Sequence, residues 1–269
     1  MGEKVVVLGT GEIGLPLLQL IRDKHEAVGI DVEPVEIHGS CSVMHVCYPY
    51  EIGDFVRTTV DYVERYLPSL VVVNSTVKPG TTRAIHEASG VAAVHSPVRG
   101  KHQKMRSELL HYTKFVGPID AEAGRMAAEH FEALGVKVRV LDSPEATELA
   151  KLSETTYFGV LIAWAQEVER YCIQLGVNYD QVTEIFQEIG YLPPVKYFPG
   201  VIGGHCVMPN IAILKQVFSS GLLSCIEHSN ELKIELTESE SAPSIREAKN
   251  PAGVPAEGLH SGVARKAHR

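Results

Sequence analysis

Long apolar runs are missing from the sequence, and so is any excess of positive charge. No stretch reaches the roughly 18 apolar residues that a membrane-spanning helix needs. Acidic residues outnumber basic ones by 33 to 25, which argues against a general role in binding nucleic acid. The N-terminal segment leads directly into an apolar strand and has no h-region of a secretory signal peptide. We therefore expect a cytoplasmic protein that binds neither nucleic acid nor membranes.

Paired cysteines and clustered metal ligands are also missing. The five cysteines form no C-x-x-C pair, and their odd number is untypical of a disulfide framework or a structural zinc site. The histidines are scattered without metal-ligand spacing. We expect reduced thiols, no bound metal, and a role for at most one or two cysteines.

What the sequence does contain is a G-x-G-x-x-G turn between a strand and a helix. Lys4 to Leu8 form a short β-branched strand, Gly9, Gly11 and Gly14 follow, and the next strand ends in Asp31. The first glycine makes a tight turn, the second lets the backbone approach a pyrophosphate, and the third lets the helix pack on the strand. The helix N-terminus attracts the anion. An acidic residue at the end of this strand, here Asp31, accepts a hydrogen bond from a ribose hydroxyl and repels a 2′-phosphate. The pattern therefore predicts NAD rather than NADP.

Strands and helices alternate through the first half of the chain. Residues 1–142 therefore predict a Rossmann-type α/β domain with a doubly wound, mostly parallel sheet. The segment after Asp31 is too short for the usual helix and third strand. At most Val35 to Ile37 is a remnant of that strand.

A change of pattern at Asp142 predicts a second, smaller and all-helical domain over 143–235. It opens with one long helix, capped by Ser143 and ended by Gly176. This helix carries more apolar surface than a small domain can cover, so we expect a homodimer through it. Residues 236–269 are rich in Ser, Glu, Ala, Pro and Gly, which predicts a disordered tail.

Four segments occur in the order found in UDP-glucose/GDP-mannose dehydrogenases, and the sequence resembles that family from residue 4 to about 215. The segments are VLGTGEIGLPL, NSTVKPGTT, ATELAKLSETTYFGVLIAWAQEVERYC and PGVIGGHCVMPN. The resemblance implies two NAD-dependent oxidations, of a sugar alcohol to an aldehyde and then to an acid, through a cysteine that holds the aldehyde. Cys206 matches that cysteine, Lys151 the family's lysine, and Thr76 the threonine of its S-T-x-x-P-G loop.

The sequence departs from the family pattern at several positions. Val98 stands where a glutamate is usual, and basic residues follow it. Thr155 replaces an asparagine, and Asn210 replaces an aspartate. We also expect the family's third domain to be lacking. These departures count against a two-step oxidation of a UDP-sugar.

Residue chemistry alone supports part of this assignment. Cys206 precedes a predicted helix, whose N-terminus favours the thiolate. Lys151 and Thr155 share a helix face. Glu148 shares it too, so Lys151 could equally be half of a helix-face ion pair. A basic segment with Arg99, Lys101, Lys104 and Arg106 is either a solvated loop or an anion site.

The predicted site residues fall into three groups. The cofactor-binding group comprises Gly9, Thr10, Gly11, Glu12, Ile13, Gly14, Asp31, Tyr48, Pro49 and Thr76. The catalytic group comprises Cys206, Lys151, Thr155 and Asn210. The substrate-binding group comprises Arg99, Lys101, Gly203, Gly204 and His205.

Three hypotheses follow for the function. The first is an NAD-dependent dehydrogenase acting on a primary alcohol or aldehyde of an anionic, sugar-like or nucleotide-sugar-like substrate. The second is a single-step hydroxy-acid dehydrogenase in which Lys151 donates the proton and Cys206 has no role. The third is a non-catalytic, NAD-binding regulatory protein.

Overall fold

The computed structural model describes residues 4–32, 35–36, 41–99, 104–189, 198–204 and 206–241. Its strands are β1 (Lys4–Leu8), β2 (Glu26–Ile30), β3 (Val43–Val46), β4 (Leu70–Val73), β5 (Ala92–His95), β6 (Lys114–Pro118) and β7 (Val138–Val140). Its helices are α1 (Gly14–Arg22), α2 (Phe55–Tyr66), α3 (Thr81–Ser89), α4 (Met105–His111), α5 (Ala121–Ala133), α6 (Pro144–Leu175), α7 (Tyr179–Gln187), α8 (Val207–Lys215) and α9 (Gly221–Ser241).

The strands form one twisted layer in the order β2-β1-β3-β4-β5-β6-β7. The first five strands of this order are mutually parallel. Strand β6 runs antiparallel to β5, and β7 is parallel to β6. The predicted fold class, a Rossmann-type doubly wound sheet followed by helices, is confirmed.

The short connection after β2 has a clear structural consequence. Strand β2 lies at the edge of the sheet, and β3 pairs with the other side of β1. Within the described part of the chain, no strand lies outside β2, as the short segment after Asp31 predicts. Of the predicted remnant, Val35 and Glu36 have no regular structure, and Ile37 lies outside the described residues.

The sheet is buried on both faces, as parallel sheets generally are. One apolar cluster contains alternate residues of β1 together with α1 and α5. The opposite cluster contains the other residues of β1 together with α2 and α3. Because β1, β3, β4 and β5 are parallel, their carboxyl ends lie at one edge of the sheet, where the connecting loops meet.

The helices begin where the sequence supplies caps. Three of these caps accept a hydrogen bond from the backbone N–H of the third residue after them, which satisfies one free donor of the first helical turn. They are Asp54, Asp120 and Asn178. Ser143 caps α6 in the same way, with Pro144 at the first position. Gly176 ends α6 in the left-handed conformation, at φ 67°.

The helices after the sheet share a separate apolar cluster, built from Leu152 of α6, residues of α8, and Leu223 and Ile226 of α9. Helix α9 runs past residue 236 to Ser241, beyond the boundary that the sequence suggested for a tail. The rest of that predicted tail lies outside the described residues. Among the described helices, none combines the length and apolar character needed to cross a membrane.

The long helix α6 buries only part of its apolar surface. Leu152 and Val168 are buried. Trp164 and Tyr171 keep 54% and 46% of their surface exposed, and Tyr157 keeps 55%. These three aromatic residues are seven positions apart, which places them on one face of the helix.

Candidate active site

The glycine turn between β1 and α1 has the close packing that its motif predicts. Gly9 has φ 81°, and a Cβ there would lie 2.8 Å from the backbone nitrogen of Tyr48. A Cβ on Gly14 would lie 1.8 Å from the carbonyl oxygen of Gly9. Around Gly11 the space is open. Side chains at Gly9 and Gly14 would therefore clash with the backbone, whereas Gly11 leaves room for a ligand.

The start of α1 faces the same open space. The residue before its first turn, Ile13, supplies no side-chain cap, so the positive end of the helix is left to attract an anion. Asp31 lies exposed at the end of β2, and its carboxylate accepts a hydrogen bond of 2.9 Å from the hydroxyl of Thr10. This hydrogen bond joins the glycine turn to the end of β2.

Three of the predicted cofactor-binding residues lie in the loops after β3 and β4. The ring of Tyr48 is buried against Phe55, and its hydroxyl contacts Thr59 at 2.5 Å. Burial raises the pKa of this phenol. Of the predicted binding residues here, Tyr48 can therefore offer only its backbone. Pro49 is exposed and Thr76 half-buried.

Helix α6 is clamped to the loop after β4 by a residue whose role the sequence did not indicate. Glu148 is fully buried, and its two carboxylate oxygens accept from the N–H groups of Gly80 at 2.6 Å and Thr82 at 2.9 Å. Burial raises the pKa of this carboxyl, against the opposing effect of the two N–H donors. The alternative of a Glu148–Lys151 ion pair was wrong, because Glu148 binds the start of α3.

A second contact holds the first turn of α6 to the sheet. His95 lies fully buried between the Thr147 hydroxyl, at 2.8 Å from Nδ1, and the Ser75 carbonyl, at 3.1 Å from Nε2. Burial lowers the pKa of this imidazole to about 3, so it stays neutral. Together with Glu148 it fixes where the next turn of α6, with Lys151, meets the sheet edge.

Lys151 lies in the wall of a cavity of about 270 Å³ between α6 and the sheet edge. Pro97, Arg99 and Phe115 contribute from the sheet side, and Thr147 and Glu154 from the helix. The ammonium of Lys151 is 3.5 Å from the Glu154 carboxylate, which is 56% exposed. Such a solvated pair holds Lys151 only weakly, so the ammonium is available to a ligand in the cavity.

The basic segment divides rather than forming one patch. The Arg99 guanidinium packs over the Phe115 ring at 4.8 Å and donates to the Thr113 carbonyl. Arg106 instead pairs with Asp23 of the α1 end at 2.6 Å. Helix α4, which contains Arg106, was not expected from the sequence. Lys101 lies outside the described residues.

Val98 lies where the resembled family has a glutamate, and its side chain does not face the cavity. It is buried in the apolar cluster that also contains Met105, Leu109 and Val116. The loop after β5 is thus anchored at Val98 by packing, and Pro97 and Arg99 on either side line the cavity.

Cys206 is exposed at the start of α8, as the sequence predicts. Four residues on, the buried Asn210 donates a hydrogen bond of 2.8 Å to the hydroxyl of Thr155. That hydroxyl in turn donates to the Lys151 carbonyl at 3.1 Å. Two of the predicted catalytic residues therefore join α8 to α6. In the described residues this link runs through Thr155 and Asn210. Lys151 lines the cavity from α6, whereas Cys206 lies at the start of α8 and is not among the residues that line it.

The glycine loop before Cys206 is held by two buried amides that the sequence reasoning missed. Asn230 of α9 accepts from the Ile202 N–H at 2.7 Å and donates to its carbonyl at 3.1 Å. Gln166 of α6 donates to the Gly200 carbonyl at 2.8 Å. Gly203 and Gly204 beyond it are exposed, with Gly204 at φ 78°. His205 lies outside the described residues.

The helical part of the chain matches a known family model. Residues 145–231 match the central domain of the UDP-glucose/GDP-mannose dehydrogenase family. The resemblance predicted from the sequence is thereby confirmed.

Curated relatives extend this similarity over the sheet. A UDP-N-acetyl-D-mannosamine dehydrogenase of Methanococcus maripaludis is 27% identical over 255 residues, covering 76% of this chain and 59% of the relative. One of Pyrococcus horikoshii is 29% identical over 191 residues, covering 65% and 44%. The chain thus spans at most about three fifths of the length of these relatives.

Solved structures show the same fold. A UDP-D-ManNAc dehydrogenase from Pyrococcus horikoshii superposes with a TM-score of 0.76 at 19% identity, covering 88% of this chain and 70% of that one. The 3-hydroxyisobutyrate dehydrogenase of Mycobacterium tuberculosis superposes with a TM-score of 0.67 at 16% identity, covering 88% and 94%. At these identities the likeness establishes the fold.

Proposed function

We propose that the protein is an NAD-dependent dehydrogenase that oxidises a primary alcohol or aldehyde of an anionic, sugar-like or nucleotide-sugar-like substrate. The observation that carries this proposal is that one sheet edge brings together the glycine turn, Asp31, and the start of α6 with Lys151. The match of residues 145–231 to a dehydrogenase central domain supports it.

The residues present fit a dinucleotide. The Gly9–Gly14 turn and the uncapped α1 start would hold the pyrophosphate, since Gly11 leaves open space there. Asp31 would accept from a ribose hydroxyl and repel a 2′-phosphate, which favours NAD over NADP. A nicotinamide cofactor held there would supply the hydride acceptor for the reaction.

Lys151 would act on the substrate oxygen. As the alcohol is oxidised, its oxygen develops negative charge, and an ammonium aimed at it from the cavity wall stabilises that charge. The clamps through Glu148 and His95 hold the lysine in place before substrate arrives. Arg99, in the same cavity, would bind a carboxylate or phosphate of the substrate.

Cys206 would serve as the nucleophile for an aldehyde. Its exposed sulfur lies at the start of α8, at the positive end of the helix dipole. Attack by the sulfur would form a carbon–sulfur bond and open the carbonyl π bond of the aldehyde, and the thiol proton would pass to the oxygen to give a thiohemiacetal. Thr155 and Asn210 would position this helix against α6, and Gly203 and Gly204 would leave room for the ligand.

One observation favours the second candidate, a single-step oxidation of a small hydroxy acid. The cavity is lined by Lys151 and Arg99, and Cys206 lies on α8 instead. A cavity of about 270 Å³ suits a small acid whose carboxylate pairs with Arg99. In that case Lys151 is the proton donor and Cys206 has no chemical part.

The experiment that separates these candidates measures formation of reduced cofactor. NAD would be offered with UDP-N-acetyl-D-mannosamine, UDP-glucose and 3-hydroxyisobutyrate, using wild-type protein and the Cys206→Ser and Lys151→Ala variants. The leading proposal expects turnover of a nucleotide sugar that both variants lose. Turnover of the hydroxy acid that survives Cys206→Ser would support the second candidate. NAD binding without turnover of any of the three would contradict both and favour the regulatory alternative.

Iodoacetamide labelling tests the thiol independently of any substrate. Cys225 is the matched control, because it is exposed like Cys206 but lies inside α9. We expect Cys206 to label faster, because only it lies at a helix N-terminus. Equal rates would argue that Cys206 is an ordinary surface thiol.

A homodimer through α6 is part of the same proposal. Tyr157, Trp164 and Tyr171 form an exposed aromatic row on one face of this helix. A second copy of the chain would cover that row.

A further inference from the structure

A buried lysine lies beneath the loop that forms the cavity wall. Lys114, the first residue of β6, is 5% exposed. Its ammonium donates to the Ser96 carbonyl at 2.6 Å, the Pro97 carbonyl at 3.1 Å and the Asn74 side-chain oxygen at 3.2 Å. A protonated lysine has three hydrogens. Each of them therefore has one acceptor here.

The groups behind Lys114 fix the direction of these bonds. The Asn74 amide nitrogen faces the His45 Nδ1 at 3.1 Å and donates to the Val72 carbonyl at 3.1 Å. The Asn74 oxygen must then face Lys114. His45 in turn contacts His130 of α5, with 3.0 Å between the two Nε2 atoms. This network offers Asn74 no other orientation, so its oxygen depends on a donor from Lys114.

The chain neighbours of Lys114, Thr113 and Phe115, hold the far end of the same loop. The Arg99 guanidinium lies 4.8 Å from the Phe115 ring centre and donates to the Thr113 carbonyl at 2.9 Å. Lys114, between those two residues, holds Ser96 and Pro97. The start of β6 is thus the seat for residues 96–99, of which Pro97 and Arg99 line the cavity beside Lys151.

We propose that Lys114 is a positioning residue whose protonated ammonium holds residues 96–99 in place as the wall of the Lys151 cavity, and that loss of its proton loosens this wall. Neutral lysine has two hydrogens for three acceptors, so one of them loses its donor. The amine stays under the Phe131 ring when the wall loosens, so the loosened form, which lacks an acceptor, binds the proton less tightly than the closed form. What the cavity binds rests on the function proposed above, whereas the ordering of the loop does not.

The charges around Lys114 make this change accessible near neutral pH. Burial, together with the charges of Lys151 and Arg99, lowers the pKa of Lys114 to about 7, against the opposing effect of Cys47. His45 and His95 also face it, and both have lowered pKa values because they are buried. An anion bound between Arg99 and Lys151 offsets two positive charges and favours the protonated lysine. Because proton binding and anion binding are linked, the affinity of the cavity for that anion should fall as the pH rises through the pKa of Lys114.

Limited proteolysis with trypsin measures the loop directly, through cleavage after Arg99. Rates at pH 6 and pH 9 would be divided by those of a short reporter peptide, which corrects for trypsin itself. For wild type we expect corrected cleavage to be roughly tenfold faster at pH 9, as loss of one charge-assisted hydrogen bond implies. Equal corrected rates at the two pH values would overturn the proposal, and this comparison needs no variant.

Substitution of the lysine gives the second arm. In Lys114→Met we expect cleavage after Arg99 to be fast and equal at both pH values. Lys137→Met is the matched control, because Lys137 is exposed and precedes the neighbouring strand. It should behave like wild type. Slow cleavage at pH 6 in a folded Lys114→Met protein would refute the positioning role.

Measurement of enzyme turnover distinguishes failure of the Lys114 proposal from failure of the proposed function. With a substrate identified, Lys114→Met should raise KM more than it lowers kcat, and KM should lose its rise above pH 7. If no substrate is turned over, the proteolysis still tests the loop. A pH-dependent loop without turnover would leave the positioning role standing and count against the dehydrogenase.

Discussion

The buried carboxylate of Glu148 offers the sharpest test of how the site is held together. We consider Glu148→Gln, which keeps the shape of the side chain and removes its charge. The native carboxylate accepts one N–H on each oxygen, from Gly80 and Thr82. An amide has one oxygen and one NH₂ group, so one of the two backbone donors would face another donor.

The size of the effect follows from these contacts. A hydrogen bond to a charged group contributes about 1.5–3 kcal/mol, and a buried donor left unpaired costs a similar amount. Burial raises the pKa of Glu148, which shows that desolvation offsets part of the advantage of the charged form. We therefore expect a loss near the lower end, about 2 kcal/mol in the free energy of unfolding.

Urea denaturation of matched variants checks this estimate. Glu154→Gln is the control, because it makes the same change on the same helix at a carboxylate that is 56% exposed. It should change the free energy of unfolding by less than about 0.5 kcal/mol. A Glu148→Gln protein as stable as the control would refute the assignment of Glu148 as the clamp between α6 and α3.

Three further predictions concern the cofactor, the assembly and the buried lysine. Asp31→Ala should narrow the preference for NAD over NADP in calorimetric titrations, and an unchanged ratio would contradict the role of Asp31. Trp164→Glu should convert a dimer to a monomer in light scattering, since burying its exposed half contributes roughly 3 kcal/mol per subunit; a wild-type monomer at micromolar concentration would exclude the interface. Global unfolding exposes Lys114 to water, whereas loosening of residues 96–99 leaves it buried. Because its pKa is lowered to about 7 in the folded protein, the unfolded chain binds more protons between that value and 10.5, and the free energy of unfolding should rise with pH there by up to about 1.4 kcal/mol per unit. Lys114→Met should lose this rise in urea denaturation at pH 6 to 9, and an unchanged pH slope would contradict it.

Local patterns were enough to predict the sheet. Parallel strands buried on both faces appear as short β-branched runs, and such runs mark β1 and β4 clearly. The edge position of β2 followed from chain length alone, because a crossover needs about a dozen residues. Helices α3 and α4 were missed because neither has a strong apolar stripe next to a capping residue. Helix α3 instead receives its cap from Glu148, far along the chain.

Site residues could be predicted where they lie close together in the sequence, but not where their role depends on a partner from another part of the chain. The glycine turn and Asp31 lie within one unit of the chain, so their arrangement followed from spacing. Lys114, Gln166 and Asn230 look ordinary in the sequence, since a buried polar residue is recognised only by the partner that satisfies it. Each of their partners lies on another element, so only the folded chain identifies them.

Two of the departures from the family pattern are explained together by the contact between them. Thr155 and Asn210 stand where the resembled family has an asparagine and an aspartate, and here they are hydrogen-bonded to each other at 2.8 Å. A neutral amide and a hydroxyl satisfy one another without a charge, which suits a position where Asn210 is 5% exposed. The pair still joins the helix of Cys206 to the helix of Lys151. Val98, by contrast, replaces a charged side chain with one buried in the apolar core. Under the proposed function, the chain keeps the parts that position substrate for hydride removal, while the acid expected to assist hydrolysis at that loop is replaced by packing.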